Sequence, residues 1–181
     1  FPRVAANATS ILVPQIASAA RRTFAGIGVV DAVIATEWVA APRTLHALVE
    51  GYQPSVAIHF GVSSRATGFV VESRGRNATV PLADACGEMP ASDCHAVHGP
   101  EYRMSTLPPA HLVARLRRAG LPASLSRDAG GYLCNALLYH SVELGRRLPR
   151  PMRTTFIHLP DGLASMRNPE RGPEPGCPLD W

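Results

Sequence analysis

Lysine is absent from this sequence, and no apolar run in it is long enough to span a bilayer. All 18 basic residues are arginines, yet the formal net charge at pH 7 is only +4. Paired arginines fall late in predicted helices, where cations complement the helix dipole; they lie at 21–22, 117–118 and 146–147. Solvated helix ends explain this pattern better than a nucleic-acid-binding surface does. A transmembrane helix needs about 20 apolar residues, so we expect neither nucleic acid nor a membrane as a partner.

Cysteine is scarce as well, since the chain has only four, at positions 86, 94, 134 and 177. Four dispersed cysteines are too few for the disulfide framework of a small secreted domain. They fit a reducing compartment, which would also keep a catalytic thiol free, so the expected location is cytoplasmic. With 181 residues the chain can bury the core of one domain, and it contains no internal repeat or linker.

Hydrophobic periodicity and turn residues divide the chain into alternating helices and strands. The predicted helices cover 9–23, 42–50, 108–119 and 130–148, and the predicted strands or extended segments cover 28–36, 55–60, 69–80, 124–126 and 154–159. Residues 84–106 lack periodicity and predict a long loop, a kind of segment that is often functional. The alternation predicts an α/β fold with a parallel or mixed sheet covered by helices on both faces.

Residues 126–139 carry the strongest functional signal: Ser-Arg-Asp-Ala-Gly-Gly-Tyr-Leu-Cys-Asn-Ala-Leu-Leu-Tyr. They predict a strand end, a short loop, and a helix whose first turn contains Cys134. The helix dipole there favours the thiolate, which is the nucleophilic form of cysteine. A helical cysteine is usually a small buried hydrophobe. The preceding Gly130 and Gly131 and the polar Asn135 that follows nevertheless make Cys134 a candidate nucleophile.

His158 and Glu72 are candidate partners for such a thiol. His158 ends the predicted strand 154–159 just before a turn, and ligands bind at the carboxyl ends of strands in open α/β sheets. Histidine is the usual base for a cysteine nucleophile, although a lone histidine at a strand end is more often structural. Glu72 lies in an extended segment, where it either faces solvent or orients the histidine ring as the third member of a triad.

A metal site is an alternative chemistry. Cys86, Cys94, His95 and His98 lie within thirteen positions and are all residue types that bind zinc. Their spacing includes no paired C-x-x-C, and adjacent cysteine and histidine side chains rarely bind one ion. We therefore expect no metal ion and no cofactor. His59, inside an apolar strand, is predicted to be a hydrogen-bonded core residue.

Four segments resemble the pyroglutamyl peptidase I family, also called the pyrrolidone carboxyl peptidases. Residues 58–62 (Ile-His-Phe-Gly-Val) are similar to a strand and glycine loop of that family, and residues 72–77 resemble its E-x-x-A-x-N motif. Residues 126–139 resemble its S-x-x-A-G-x-(Y/F)-(L/V)-C-N-x-x-x-Y motif, and residues 156–160 resemble its F-I-H-x-P. The resemblance covers most of the chain and is strongest from residue 54 to residue 162.

This resemblance implies a cysteine peptidase that removes an N-terminal pyroglutamate from peptides without a cofactor. The implied fold is a three-layer α/β/α sandwich with a mixed, mostly parallel central sheet. Carried over position by position, Cys134 is the nucleophile, His158 the general base and acid, and Glu72 the residue that orients His158. Members of the family commonly form homotetramers, so we expect a homo-oligomer.

The resemblance also implies substrate-binding positions and a domain organisation. Tyr132 and Leu133 match pocket positions beside the nucleophile. Val62 matches a loop position whose backbone meets the lactam ring of the substrate, and Phe1 matches a remnant of an aromatic loop. Residues 1–181 then form a single catalytic domain that lacks the family's first strand and last helix.

The sequence departs from the family pattern in one region near the site. Leu82 stands where the family often has an arginine, and Arg74 or Arg76 are the candidate substitutes. This departure leaves two other functions open. One is a catalytically inactive relative that acts as a binding or structural module, and the other is a cysteine amidase that acts on a different small acyl group.

Overall fold

The structure, a computed structural model, describes residues 8–161. Its helices are α1 (Ala8–Thr23), α2 (Ala40–Tyr52), α3 (Pro109–Arg118) and α4 (Leu133–Arg147). Its strands are β1 (Val56–Ser63), β2 (Phe69–Glu72), β3 (Arg74–Arg76), β4 (Tyr102–Met104), β5 (Ala123–Ser126) and β6 (Arg153–Pro160). None of the helices in this described part is long and apolar enough to cross a membrane.

The main sheet has four strands in the order β1-β6-β2-β5. Strands β1 and β6 run parallel, β6 and β2 antiparallel, and β2 and β5 parallel. Strands β3 and β4 form a separate antiparallel pair. Helices pack on both faces of the main sheet, so the expected three-layer α/β/α sandwich with a mixed, mostly parallel sheet is confirmed.

Strand β6 separates two apolar cores because its side chains alternate between the faces of the sheet. Leu159 packs with Leu12 of α1 on one face, and Phe156 packs with Leu138 of α4 on the other. Both faces of β6 are buried, as expected for a central strand covered by helices on both sides. By the same alternation, His158 shares the α4-facing side of the sheet with Phe156.

The turn before α4 explains why this helix begins at Leu133 rather than at residue 130. Gly130 has a φ of +79°, in the left-handed region that residues with side chains rarely adopt. Its N–H donates to the Asp128 carboxylate at 3.0 Å. The Gly131 carbonyl accepts the Val80 N–H at 2.9 Å, and a Cβ added at Gly131 would lie 2.5 Å from a Val80 methyl carbon. The two glycines thus allow α4 to begin in close contact with the backbone segment around Val80.

The prediction of a strand over residues 28–36 is wrong, because this segment forms no helix or strand. A strand needs a hydrogen-bonded neighbour, and β1 has no partner on its outer edge within the described residues. Two valines of the segment, Val30 and Val33, are 53% and 79% exposed. The other predicted elements are present with shifted ends. Strand β1 continues past Gly61 to Ser63, and the long loop 84–106 contains the short strand β4.

Candidate active site

His158 and Glu72 lie on neighbouring strands and face the same side of the sheet. In the antiparallel register of β6 and β2, Val70 lies opposite His158, and Glu72 lies opposite Phe156. Glu72 is therefore a diagonal neighbour of His158. His158 Nδ1 donates to Glu72 Oε1 at 2.8 Å, and the two side chains are only 11% and 2% exposed. With Nδ1 bound to the carboxylate, Nε2 is the ring nitrogen left for a reacting group.

Cys134 approaches the same histidine from the helix layer, since it lies in the first turn of α4. Burial by itself lowers the pKa of His158, but interactions with the Cys134 thiol and then with the Glu72 carboxylate outweigh it. Together they raise the pKa of His158 to about 9. A shift of this size corresponds to roughly 3 kcal/mol in favour of the imidazolium. His158 is therefore protonated at neutral pH, and a cation beside a thiol favours the thiolate.

Gly61 is a site residue that the sequence did not identify. It is the register partner of His158 in the parallel pairing of β1 and β6. A Cβ at this position would lie 2.9 Å from Cys134 Sγ and 2.7 Å from Cζ of the Phe156 ring. The thiol therefore lies in space that a side chain at position 61 would occupy. The sequence signal for such a role was a glycine inside an apolar strand, because a strand glycine often marks a point where another group approaches the backbone closely.

Free backbone donors lie in the first turn of α4, the turn that also contains Cys134. Tyr132 is the N-cap residue and makes no side-chain capping bond. The first intrahelical bond is donated by the Ala136 N–H to the Tyr132 carbonyl. Within residues 8–161, the N–H groups of 133–135 have no hydrogen-bond acceptor. Such donors, at the positive end of the helix dipole, suit a developing negative charge.

Two motif asparagines hold the backbone instead of lining the site. Asn135 is fully buried; its Oδ1 accepts the Arg76 N–H at 2.7 Å, and its Nδ2 donates to the carbonyls of Arg76 and Ala78. This side chain thereby connects the first turn of α4 to the segment that follows β2. Asn77 accepts the backbone N–H groups of residues 95–96 in the same way. The resemblance assigned these two residues no role.

Tyr132 and Leu133 both lie beside Cys134, but their side chains are placed differently. The Tyr132 hydroxyl donates to the Ala83 carbonyl at 3.1 Å, and its ring packs edge-on against Trp38 with the centroids 5.1 Å apart. Burial raises the pKa of Tyr132, so the hydroxyl stays neutral. The Leu133 side chain is buried in the protein, at 3% exposed.

The two remaining predicted binding residues are Val62 and Phe1. Val62 belongs to strand β1 and not to a loop, and it pairs in register with Leu159. Its side chain packs into the core beside α1 and α3, on the face opposite α4. Only the backbone of Val62 is therefore available to a ligand on the Cys134 side. Phe1 lies outside the described residues.

The structure distinguishes the candidate substitutes for the arginine that Leu82 replaces. The Leu82 side chain is 53% exposed. Arg74 is engaged elsewhere, since its Nε donates to the Arg127 carbonyl at 2.9 Å and its guanidinium lies 3.9 Å from the Tyr102 ring centroid. Arg76 keeps a buried Nε that has no hydrogen-bond partner in the described part of the chain. Arg76 is thus the candidate with an unused donor.

The other histidines and cysteines considered in the sequence do not cluster into a second site within the described residues. His59 Nε2 lies 2.8 Å from Ser141 Oγ, and burial lowers the pKa of His59 to about 4, as expected for a neutral, hydrogen-bonded residue. His95 Nε2 lies 3.0 Å from the Asn135 amide nitrogen. Across residues 8–161, no three His, Cys, Asp or Glu side chains are placed to hold a metal ion. The candidates at 86–98 therefore do not form a zinc site.

Comparison with known proteins identifies the family to which this sequence and fold are similar. A family described as pyroglutamyl peptidase matches residues 11–174. Pyroglutamyl-peptidase 1 of Rattus norvegicus is 34% identical over 129 residues, which cover 70% of this chain and 59% of that protein. The pyrrolidone-carboxylate peptidase of Chromobacterium violaceum is 32% identical over 139 residues, with coverages of 76% and 64%. A mutant pyrrolidone carboxyl peptidase from the hyperthermophile Pyrococcus furiosus superposes with a TM-score of 0.75 at 26% identity, covering 87% of this chain and 75% of that one.

The matched region includes the whole geometry described above, from β1 to the end of β6. The chain spans about three-fifths of the length of these curated relatives. Sequence and fold agree on the same group of proteins, and the motifs around Glu72, Cys134 and His158 lie within the match. The chain therefore belongs to the pyroglutamyl peptidase family.

Proposed function

We propose that this protein is a cysteine peptidase that hydrolyses the bond after an N-terminal pyroglutamate. The observation that carries the proposal is the buried pair of His158 and Glu72, 2.8 Å apart, beside the Cys134 thiol. A nucleophile, a base and a group that orients the base are the components of a catalytic triad. The substrate class is inferred from relatives that are named pyroglutamyl-peptidase 1 and pyrrolidone-carboxylate peptidase.

In the first step, the Cys134 thiolate attacks the carbonyl carbon of the pyroglutamyl residue and forms a C–S bond. The negative charge that develops on the carbonyl oxygen lies near the Cys134 N–H, one of the unpaired donors at the start of α4. The His158 imidazolium then donates its Nε2 proton to the leaving amine as the C–N bond breaks. The products of this step are a thioester on Cys134 and the shortened peptide.

In the second step, neutral His158 takes a proton from a water molecule, whose oxygen attacks the thioester. The C–S bond breaks, free pyroglutamate leaves, and the thiolate–imidazolium pair is restored. Throughout the cycle, the Glu72 carboxylate accepts a hydrogen bond from the Nδ1–H group of His158 and stabilises the imidazolium form. Both steps use side chains of this protein and one water molecule.

The proposed substrate fits the chemistry of the site. Pyroglutamate is a small, neutral, flat lactam with one N–H and one ring carbonyl, so its pocket needs apolar walls and a few backbone hydrogen bonds. The Val62 backbone and the Tyr132 and Leu133 positions are proposed to supply them. A reducing, cytoplasmic environment would keep Cys134 reduced, and we propose a homo-oligomer on the basis of the family resemblance.

Turnover of a pyroglutamyl-coumarin amide tests the proposal, with the Cys134→Ser variant as the control. We expect release of coumarin by the unchanged protein and a loss of roughly 10³-fold or more in the variant. A panel of other acyl-coumarin amides and a pyroglutamyl aldehyde complete the experiment. Cleavage of another acyl group in preference to pyroglutamyl would identify an amidase. Failure both to turn over the amide and to bind the aldehyde would identify an inactive relative.

A further inference from the structure

A cavity lies between α2 and α4, and its lining includes neither Cys134 nor His158. Its volume is about 370 Å³. The polar side chains around it are mostly basic, and we refer to the cavity as the arginine pocket; they are Arg43, His46, Arg103, His140, Glu143 and Arg147. No step of the proposed reaction uses these residues.

The charges in the arginine pocket are not balanced. Glu143 pairs with Arg103 at 3.0 Å and with Arg147 at 2.6 Å, so one carboxylate serves two guanidinium groups. Arg43 makes no hydrogen bond or ion pair within residues 8–161. Three guanidinium groups and one carboxylate thus line the cavity, and the nearby carboxylate of Glu50 pairs with His46 at 3.1 Å. This excess of positive charge favours an anion.

Arg103 is the least exposed of these arginines. Its side chain is 8% exposed, and its guanidinium lies 4.0 Å from the centroid of the Tyr139 ring. Its buried Nε has no hydrogen-bond partner among the described residues. A buried donor without an acceptor is costly, and a guanidinium can donate to an oxyanion through two parallel N–H groups. The protein engages its other two nitrogens, Nη1 with the Tyr139 carbonyl at 3.5 Å and Nη2 with Glu143 at 3.0 Å, so the guanidinium is held beside the cavity with one donor unused.

We propose that the arginine pocket binds a small oxyanion with two or more negative charges, such as phosphate or citrate. The cavity is large enough to admit an ion of this size, while a nucleic acid or an acidic protein would need an extended basic surface. His140 adds a second indication. Burial and the adjacent positive charge of Arg103 lower the pKa of His140. A bound anion would offset the effect of the Arg103 charge and so raise the pKa of His140.

Binding of inorganic phosphate and of citrate, each titrated into the purified protein, tests the proposal. Calorimetry would be run at constant ionic strength, with sodium chloride as the reference salt. The informative variant is Arg43→Gln, because Arg43 is exposed and makes no contacts that the fold requires. Arg118→Gln is the matched control, since Arg118 lies at the exposed end of α3 on the opposite face of the sheet.

We expect measurable binding of at least one of the two anions, unchanged in Arg118→Gln and weakened roughly tenfold in Arg43→Gln. Comparison of phosphate with citrate shows which oxyanion the pocket prefers. Titration of His140 by NMR should show a higher pKa with the anion bound. Equal affinities of the two variants, or no heat beyond that of chloride, would overturn the proposal. Because the peptidase assay does not enter this test, its result is independent of the proposed reaction.

Discussion

Gly61 and Cys134 are complementary: the space left by the missing side chain of the glycine holds the sulphur of the cysteine. A Cβ at Gly61 would lie 2.9 Å from Cys134 Sγ. Gly61 is also the neighbour of His158 in the sheet. The close pairing of β1 with β6 therefore fixes the position of the thiol relative to the imidazole.

Substitution of Gly61 by alanine should impair catalysis without unfolding the protein. The added methyl group would displace Cys134 or the Phe156 ring, and displacement of a reacting atom by about 1 Å can cost on the order of 10²-fold in rate. We expect a loss of roughly this size in kcat/KM for the pyroglutamyl-coumarin amide. Circular dichroism would verify that the fold is retained.

Gly51→Ala is the control for this experiment. Gly51 lies in α2, and a Cβ there would meet nothing within 4 Å. Alanine in a helix is favoured over glycine by about 0.5–1 kcal/mol, so this variant should be slightly more stable and fully active. Full activity of Gly61→Ala would show that the thiol does not need the space beside position 61.

The activity should decrease at alkaline pH. His158 must be protonated to donate to the leaving amine, and its pKa is raised to about 9. We therefore expect kcat/KM to fall as the pH rises through about 9, whereas alkylation of Cys134 by iodoacetamide, which needs no proton donor, should not fall there.

Glu72→Gln should shift that alkaline decrease to lower pH. The negative charge of Glu72 is one of the interactions that raise the pKa of His158, and a neutral amide removes it. A pH profile of kcat/KM for the variant, measured beside that of the unchanged protein, gives the result directly. An identical profile would mean that Glu72 does not set the protonation of His158.

The cysteines should differ in their importance for turnover. Cys134→Ser and His158→Ala are each expected to abolish turnover while the fold is retained. Cys86→Ser and Cys94→Ser should remain active, because neither thiol lies beside His158, and Cys86 is exposed. Peptide mass mapping after iodoacetamide treatment would locate the reactive thiol. Loss of activity in Cys94→Ser equal to that in Cys134→Ser would overturn the assignment of the nucleophile.

Asn135→Ala should destabilise the protein. The Asn135 side chain accepts the Arg76 N–H and donates to the Arg76 and Ala78 carbonyls, and it is fully buried. Because alanine leaves these buried backbone groups without partners, the free energy of unfolding should fall by about 2–4 kcal/mol. Urea denaturation measures this change. A loss below about 0.5 kcal/mol, the range of ordinary surface substitutions, would show that water replaces the amide.

The catalytic candidates could be predicted because their signals are local in the sequence. Cys134 follows a glycine turn and begins a helix, and His158 ends a buried strand. Gly61 could not be recognised in the same way, because its role depends on the register that places it beside His158 and under Cys134. The same holds for Asn135, whose partners lie 57 to 59 residues away.

The failed strand prediction over residues 28–36 has a related cause. An apolar, β-branched sequence shows that a segment can be extended, but whether it becomes a strand depends on a neighbour. The arginine pocket was equally inaccessible from the sequence. Arg43 and Arg103 lie 60 positions apart in the chain, and only the packing of α2 and β4 against α4 brings them to the same cavity.

The unpaired outer edge of β1 affects how this protein behaves at high concentration. Within residues 8–161 no strand lies next to that edge, and Val56 and Ile58 on it are 49% and 44% exposed. A row of free backbone donors and acceptors flanked by apolar side chains is a template for intermolecular strand addition. Within residues 8–161, the strand that carries Gly61 is therefore also an edge open to strand addition by a second molecule.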